Sequence, residues 1–340
     1  MFEPISFEHG GRLRRAALQY DIPHTNWLDL STGINPNGWS VPEVPAEVWL
    51  RLPEQDDGLI AVATQYYQTD HFLPVAGSQA AIQCLPTLRN HSRVAITHPG
   101  YKEHLHAWQH AGHDVTLVSE TQINQALGQT DVLVLINPNN PTGHLFSVEQ
   151  LLEWQQYLAK RDGWLVVDEA FIDITPEYSL TRYSPREGLI VLRSLGKFFG
   201  LAGVRLGFVF TSAKWLHTLH ERLGPWAVNH PARWLASHAL MDRQWHDKAR
   251  HNLIVQGKRL AKLLANAGLT ISGGCGLFQW VCTPLAKTYY DLLAQQGILI
   301  RYFEQPLSLR FGLPKQEKDW LRLEKALSGL PLAKGLVCDN

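Results

Sequence analysis

Between residues 73 and 211 the chain alternates short apolar runs with longer stretches whose apolar side chains recur at helical spacing. The runs are LPVA (73–76), RVAIT (93–97), DVTLV (114–118), DVLVLIN (131–137), GWLVVDEA (163–170), LIVLRS (189–194) and GFVFT (207–211). Near-continuous β-branched runs suit strands buried on both faces, and intervening segments of this length suit crossover helices. One such segment, VEQLLEWQQYLAKR, follows Ser147 as N-cap and carries Lys160 and Arg161 at its C-terminal end, where cations complement the helix dipole. The class is therefore α/β: a large domain with a mostly parallel, seven-stranded sheet.

After Gly207 the pattern changes. Residues 213–267 read as largely helical, short strand-like runs follow at TISG, FQWVC, ILIRYF and SLRFG, and a helix is expected from Glu317 to Leu327. That is a small α+β domain. The first 45 residues, rich in Pro, Gly and Asn, read as an extended arm packing with it. The expected division is 1–45 arm, 46–212 large domain and 213–340 small domain. A length of 340 residues agrees with more than one core.

Thirty-one basic against 31 acidic side chains give no net field to attract nucleic acid or an anionic membrane, so the expected partner is a small molecule. No apolar stretch approaches the roughly 20 residues of a membrane span, and MFEPISFEHGGRLRR carries charges where a signal peptide needs an apolar run. The four cysteines (Cys84, Cys275, Cys282, Cys338) show no Cys-x-x-Cys spacing, so neither a disulfide framework nor a zinc site is expected, and the reading is cytoplasmic. His106 and His110 lie four apart on an expected helix but lack a third ligand. They read as surface residues, and no metal is expected.

The chemistry concentrates at the ends of the expected strands. Lys197, in SLGKFFGLAGVRLG, follows a strand and precedes a glycine-rich turn ending at Arg205. An amine held there suits a Schiff-base nucleophile, because an apolar or cationic neighbourhood helps it shed its proton. Asp168 closes the apolar run WLVV, where a carboxylate needs a cationic partner such as a protonated pyridine nitrogen. Asn140, in NPNNPTG, offers an amide on a loop stiffened by two prolines. Gly77, Ser78 and Gln79 lie between a strand and a helix start, a geometry that presents N–H groups to phosphate. Tyr101 opens a helix after RVAIT and suits stacking on a flat ring.

In order and spacing, GSQ, GY, NPNNPTG, DEAF and SLGKFFGLAGVRLGF resemble the fold-type-I pyridoxal-phosphate (PLP) enzymes related to histidinol-phosphate aminotransferase, over roughly residues 25–325. The resemblance implies PLP as cofactor and the fold-type-I transferase architecture. It assigns Lys197 to the Schiff base, Asp168 to the pyridine nitrogen and Asn140 to the phenolic oxygen. Ser78, Gln79, Ser194 and Arg205 fall to the cofactor phosphate, and Arg310, in SLRFG, to the substrate α-carboxylate. It also implies a homodimer.

Within that family, EHGG (8–11) and LDLSTGINPNG (28–38) look like the threonine-phosphate decarboxylases of cobalamin biosynthesis. That likeness implies decarboxylation of a phosphorylated amino acid, L-threonine O-3-phosphate, to (R)-1-amino-2-propanol O-2-phosphate. His9, Asn35 and Arg301 become candidates for gripping the substrate's phosphate or carboxylate. Two positions depart from related aminotransferases: RLPEQ (51–55) lacks the tyrosine of their Tyr-Pro-x-Pro motif, and Phe171 stands where they usually carry tyrosine. The alternatives are a histidinol-phosphate or other amino-acid aminotransferase and a non-catalytic scaffold of the corrin pathway. A PLP-dependent transcription regulator is less expected still, because no extra DNA-binding domain fits in 340 residues already used by the fold.

Overall fold

Strands apolar at every position leave no face for water, and the central runs do become fully buried strands of one sheet. The protein was analysed as a computed structural model, which describes residues 9–331; Cys338 lies outside them. Its contacts divide into two compact units. The larger holds residues 38–140 and 144–251, and the smaller holds 9–37, 141–143 and 252–331.

These boundaries differ from the expected ones at 45/46 and 212/213. The chain opens with α1 (Leu13–Tyr20) and the two-residue β1 (Leu28–Asp29), so the arm is not simply extended. The larger unit then runs α2 (Ala46–Leu50), α3 (Leu59–Tyr67), β2 (Phe72–Val75), α4 (Ser78–Cys84), β3 (Arg93–Thr97), α5 (Lys102–His110) and β4 (Asp114–Val118). It continues with α6 (Ile123–Ala126), β5 (Val132–Ile136), α7 (Val148–Ala159), β6 (Trp164–Asp168), β7 (Leu189–Ser194), β8 (Gly207–Phe210), α8 (Ala213–Leu223) and α9 (His230–Met241). Residues 213–251 join this unit because α8 packs on β2 and α4, while α9 packs on α2 and α3. Helix α10 (Arg243–Asn266) follows. The smaller unit ends with β9 (Gly273–Cys275), β10 (Phe278–Cys282), α11 (Ala286–Ala294), β11 (Ile298–Leu299), β12 (Arg301–Glu304), β13 (Leu307–Gly312) and α12 (Glu317–Ser328).

The seven-stranded sheet has the order β2-β8-β7-β6-β5-β3-β4, with β8 antiparallel to both neighbours and the other pairs parallel. The C-terminal ends of β2, β3, β5, β6 and β7 therefore share one edge, where open α/β sheets place their ligands. In the smaller unit, β12-β13-β10-β9 form an antiparallel sheet, and β1 pairs in parallel with β11 through Leu28↔Ile298 and Asp29↔Leu299. Among the described residues no helix is long and apolar enough to cross a membrane.

Candidate active site

Gly77 is the turn between β2 and α4, and two facts require glycine there. Its φ is +72°, and a Cβ would come within 2.6 Å of Arg205 Nη2. The guanidinium of Arg205 thus lies directly over the first residues of α4. Arg205 adopts a left-handed φ of 57° and donates from Nη1 to Ala202 O at 3.1 Å. The first residue of β8, Gly207, pairs with Val75 on one side and Ser194 on the other, so three distant segments converge at one cationic cradle. Ser194 Oγ accepts from Gly196 N–H at 3.2 Å, shaping the turn that carries Lys197. The side chain of Gln79 accepts from the Tyr101 hydroxyl at 3.3 Å and donates to Glu103 Oε2 at 3.0 Å. It braces Tyr101, whose hydroxyl burial pushes well above its ordinary pKa.

Asp168, 4% exposed, terminates β6. Its Oδ1 accepts from Ala170 N–H at 3.1 Å, and its Oδ2 lies 3.0 Å from Nε2 of His104, itself fully buried. Sequence reasoning missed His104. Its signal was present, since His104, Ala107 and Trp108 share the buried face of α5 at helical spacing. Of the histidines expected at the surface, His110 is exposed, but His106 is half-buried with its Nε2 enclosed, because the first turns of α5 face inward. Among the described residues no cluster could hold a metal ion, and Cys84, Cys275 and Cys282 form no disulfide with one another.

Lys197 is half-buried, with Nζ 5.6 Å from the centre of the buried Phe171 ring. In the loop after β5, Asn137 accepts from Phe146 N–H at 2.8 Å, and Asn139 donates to Pro99 O and Glu120 Oε1, both at 2.9 Å. Those two amides hold the loop together, and Asn140 follows them, half-buried.

The smaller unit concentrates cations. Arg301 and Arg310 are cross-strand partners on β12 and β13. Burial first, and the neighbouring Arg301 second, lower the Arg310 guanidinium to about 10, so it remains charged at neutral pH. Its Nη2 donates to Ser31 O at 2.5 Å. Ser31 Oγ in turn accepts from Gly11 N–H at 2.8 Å, and a Cβ on Gly10 would collide with Ser31 O. The two distinctive N-terminal motifs, EHGG and STGINPNG, therefore meet at Ser31 beside Arg310. Asn35, buried, accepts from Asn37 N–H at 3.0 Å. A cavity of about 230 Å³ opens among His9, Arg12, Arg15, Lys287, Arg301 and a single carboxylate, Glu304. This composition suits a small anion of high charge.

The larger unit's residues fit pyridoxal phosphate: a cationic cradle at a helix start, a buried carboxylate at the end of β6, a half-buried amine just past the neighbouring strand β7 and a flat, braced tyrosine. Fold and site together define the class, and the chain belongs to the aminotransferase class I and II family, whose pattern matches residues 26–327. More particularly, it is 53% identical over 322 residues to the threonine-phosphate decarboxylase of Pseudomonas aeruginosa, covering 95% of this chain and 97% of that one. It is 40% identical over 332 residues to a threonine-phosphate decarboxylase of Sinorhizobium sp, covering 95% and 98%. Among solved structures, histidinol-phosphate aminotransferase from Sinorhizobium meliloti in complex with pyridoxal-5'-phosphate shares the fold with a TM-score of 0.79 at 18% identity, covering 96% of each chain.

Proposed function

We propose that this chain is a pyridoxal-phosphate-dependent carboxy-lyase acting on L-threonine O-3-phosphate, releasing CO2 and (R)-1-amino-2-propanol O-2-phosphate for cobalamin biosynthesis. Its working form is a cytoplasmic homodimer. The observation that carries this reading is the near full-length 53% identity to a threonine-phosphate decarboxylase. The cation-rich cavity at His9 and Arg301, present in addition to the buried Arg310, supports a substrate bearing two separate anionic groups.

Bound at this site, pyridoxal phosphate supplies a protonated ring that accepts the electron pair left when the Cα–carboxylate bond breaks. Arg205, Ser194 and the Gly77–Ser78–Gln79 turn hold its phosphate. Asp168 would serve the ring nitrogen and keep its proton, Tyr101 would flank the ring, and Asn140 would donate to the phenolic oxygen. Lys197, half-buried beside the Phe171 ring, would hold the cofactor through its amine, and the same ε-amino group would carry the proton to the substrate Cα. Arg310 grips the carboxylate with a guanidinium fork, while His9, Asn35 and Arg301 take the phosphate. Fixing both anionic groups sets which bond at Cα stands perpendicular to the ring, and that orientation selects decarboxylation over transamination.

The test is to incubate the PLP-loaded protein with L-threonine O-3-phosphate and follow CO2 and aminopropanol phosphate by mass spectrometry. Sustained release over many turnovers is expected. Conversion of the cofactor to its amine form by histidinol phosphate, without CO2, would reassign the chain as an aminotransferase.

A further inference from the structure

We propose that Trp280 is a further substrate-binding residue, whose indole N–H donates to the α-carboxylate that Arg310 grips. The inference rests on the threonine-phosphate reading and on Arg310 as the carboxylate's partner. It starts from a single atom. Trp280 is 8% exposed, and among the described residues its enclosed Nε1 makes no hydrogen bond. A buried indole N–H ordinarily finds a partner, and leaving one unpaired costs the desolvation of the donor. A donor in that condition is suited to the acceptor of a ligand.

The antiparallel sheet of the smaller unit points to the group concerned. Successive side chains of a strand face opposite ways, and directly opposed residues of antiparallel neighbours share a face. Gln279 donates to Gly257 O of α10 at 3.2 Å, so one face of β10 is turned to that helix, and Phe278 and Trp280 lie on the other. Trp280 opposes Arg310, and Arg310 opposes Arg301, so the three form one row across β10, β13 and β12. On the same face the Arg310 guanidinium lies over the Phe278 ring, 5.2 Å from its centre. The row has a direction. At its Arg301 end is the cavity assigned to the phosphate. At its other end Trp280 opposes Gly273, where a Cβ would collide with Thr142 O of the NPNNPTG loop. The indole therefore stands on the side of Arg310 away from the phosphate cavity, one strand spacing of roughly 4.8 Å along the row. The substrate group that falls to it is the carboxylate, whose two oxygens accept more hydrogen bonds than one guanidinium fork supplies. The product has no carboxylate. A donor here accordingly separates the two molecules: the substrate satisfies it and the product leaves it unpaired.

Two replacements separate the donor from its bulk. Trp280→Phe removes the N–H together with part of the ring, whereas β-(3-benzothienyl)alanine at position 280 keeps the shape of the indole and puts sulfur in place of the N–H. The measurements, all on the PLP-loaded protein, are kcat/KM for threonine phosphate and the dissociation constant of (R)-1-amino-2-propanol O-2-phosphate, read from the visible cofactor band. Both variants should lose about tenfold or more in kcat/KM, the worth of a hydrogen bond to a charged group, while the product's dissociation constant stays within about twofold of wild type. A wild-type kcat/KM in the benzothienyl protein would overturn the proposal. So would product binding weakened by the same factor as kcat/KM, the mark of a merely structural role. Should Trp280→Phe not fold, the isosteric replacement alone decides. Failure of the decarboxylase reading has a different signature: a wild-type protein whose band shifts with threonine phosphate but which releases no CO2. The dissociation constant of threonine phosphate then replaces kcat/KM, a rise of about tenfold in the benzothienyl protein upholding the role of Trp280 and an unchanged value overturning it. A wild-type band that does not respond to threonine phosphate sinks both.

Discussion

Individual side chains carry the sharpest expectations. Replacing Lys197 with alanine should abolish the visible band of bound PLP and reduce CO2 release about a thousandfold or more, measured by spectrum and single-turnover assay. Gly77→Ala would place a methyl against Arg205 Nη2 at φ +72° and ψ 156°, a region essentially confined to glycine, and a strain of about 1–3 kcal/mol there should weaken PLP retention about tenfold or more. Arg310→Lys preserves charge but not the planar fork, so kcat/KM for threonine phosphate should fall about tenfold or more while PLP retention stays unchanged. The positions of Lys197 and Asp168 at strand ends were legible in sequence, because Asp168 closes one buried run and Lys197 follows another. His104 was overlooked, because three histidines in nine residues resemble a solvated helix, although it shares helical spacing with the buried Ala107 and Trp108.

At the scale of elements, β6 and β7 are tied beyond their hydrogen-bond ladder. Arg193, on β7, pairs with Glu169 Oε2 at 3.4 Å and with Asp173, and Tyr66 donates to Asp173 Oδ1 at 2.8 Å. Glu169 also accepts from Ser179 Oγ at 2.6 Å and Leu180 N–H at 2.7 Å. Burial pushes its carboxyl up to about 7, and the Arg193 guanidinium only partly offsets this. A folded-state value raised above the unfolded one favours the fold most at low pH. The Glu169 contribution is therefore whole below about pH 4.5 and is lost as pH rises through about 7. Urea midpoints measured across that window should show the decline in the wild type and a flatter profile in Glu169→Gln. All seven large-sheet runs were readable in advance: six are buried at most positions, and the largely exposed edge strand β4 is marked by its β-branched Val115, Thr116 and Val118. The domain limits were not, because nothing in the composition of α8 and α9 says that they pack on α2, α3, α4 and β2.

For the whole molecule, an apolar surface remains to be explained. Trp49 (65% exposed) lies on α2 and Leu52 (62%) just after it, and Pro53, Glu54, Ile60 and Trp226 (60%) line one cavity of the larger unit. Large apolar side chains exposed at the rim of such a cavity suit an interaction face, in keeping with the proposed homodimer. Sedimentation equilibrium should return twice the chain mass of 38.4 kDa, and a Leu52→Glu, Trp226→Glu double variant should return the single mass.

The residues assigned to the cofactor all fall between Gly77 and Arg205, while those assigned to the substrate's anionic groups fall in the first 35 residues and between Trp280 and Arg310. Mutation can accordingly alter which acid is accepted without disturbing the electronic apparatus that breaks its bonds. A laboratory seeking a decarboxylase for a different phosphorylated amino acid would do well to randomise the cavity around Arg12 and Arg301 and leave the sheet untouched.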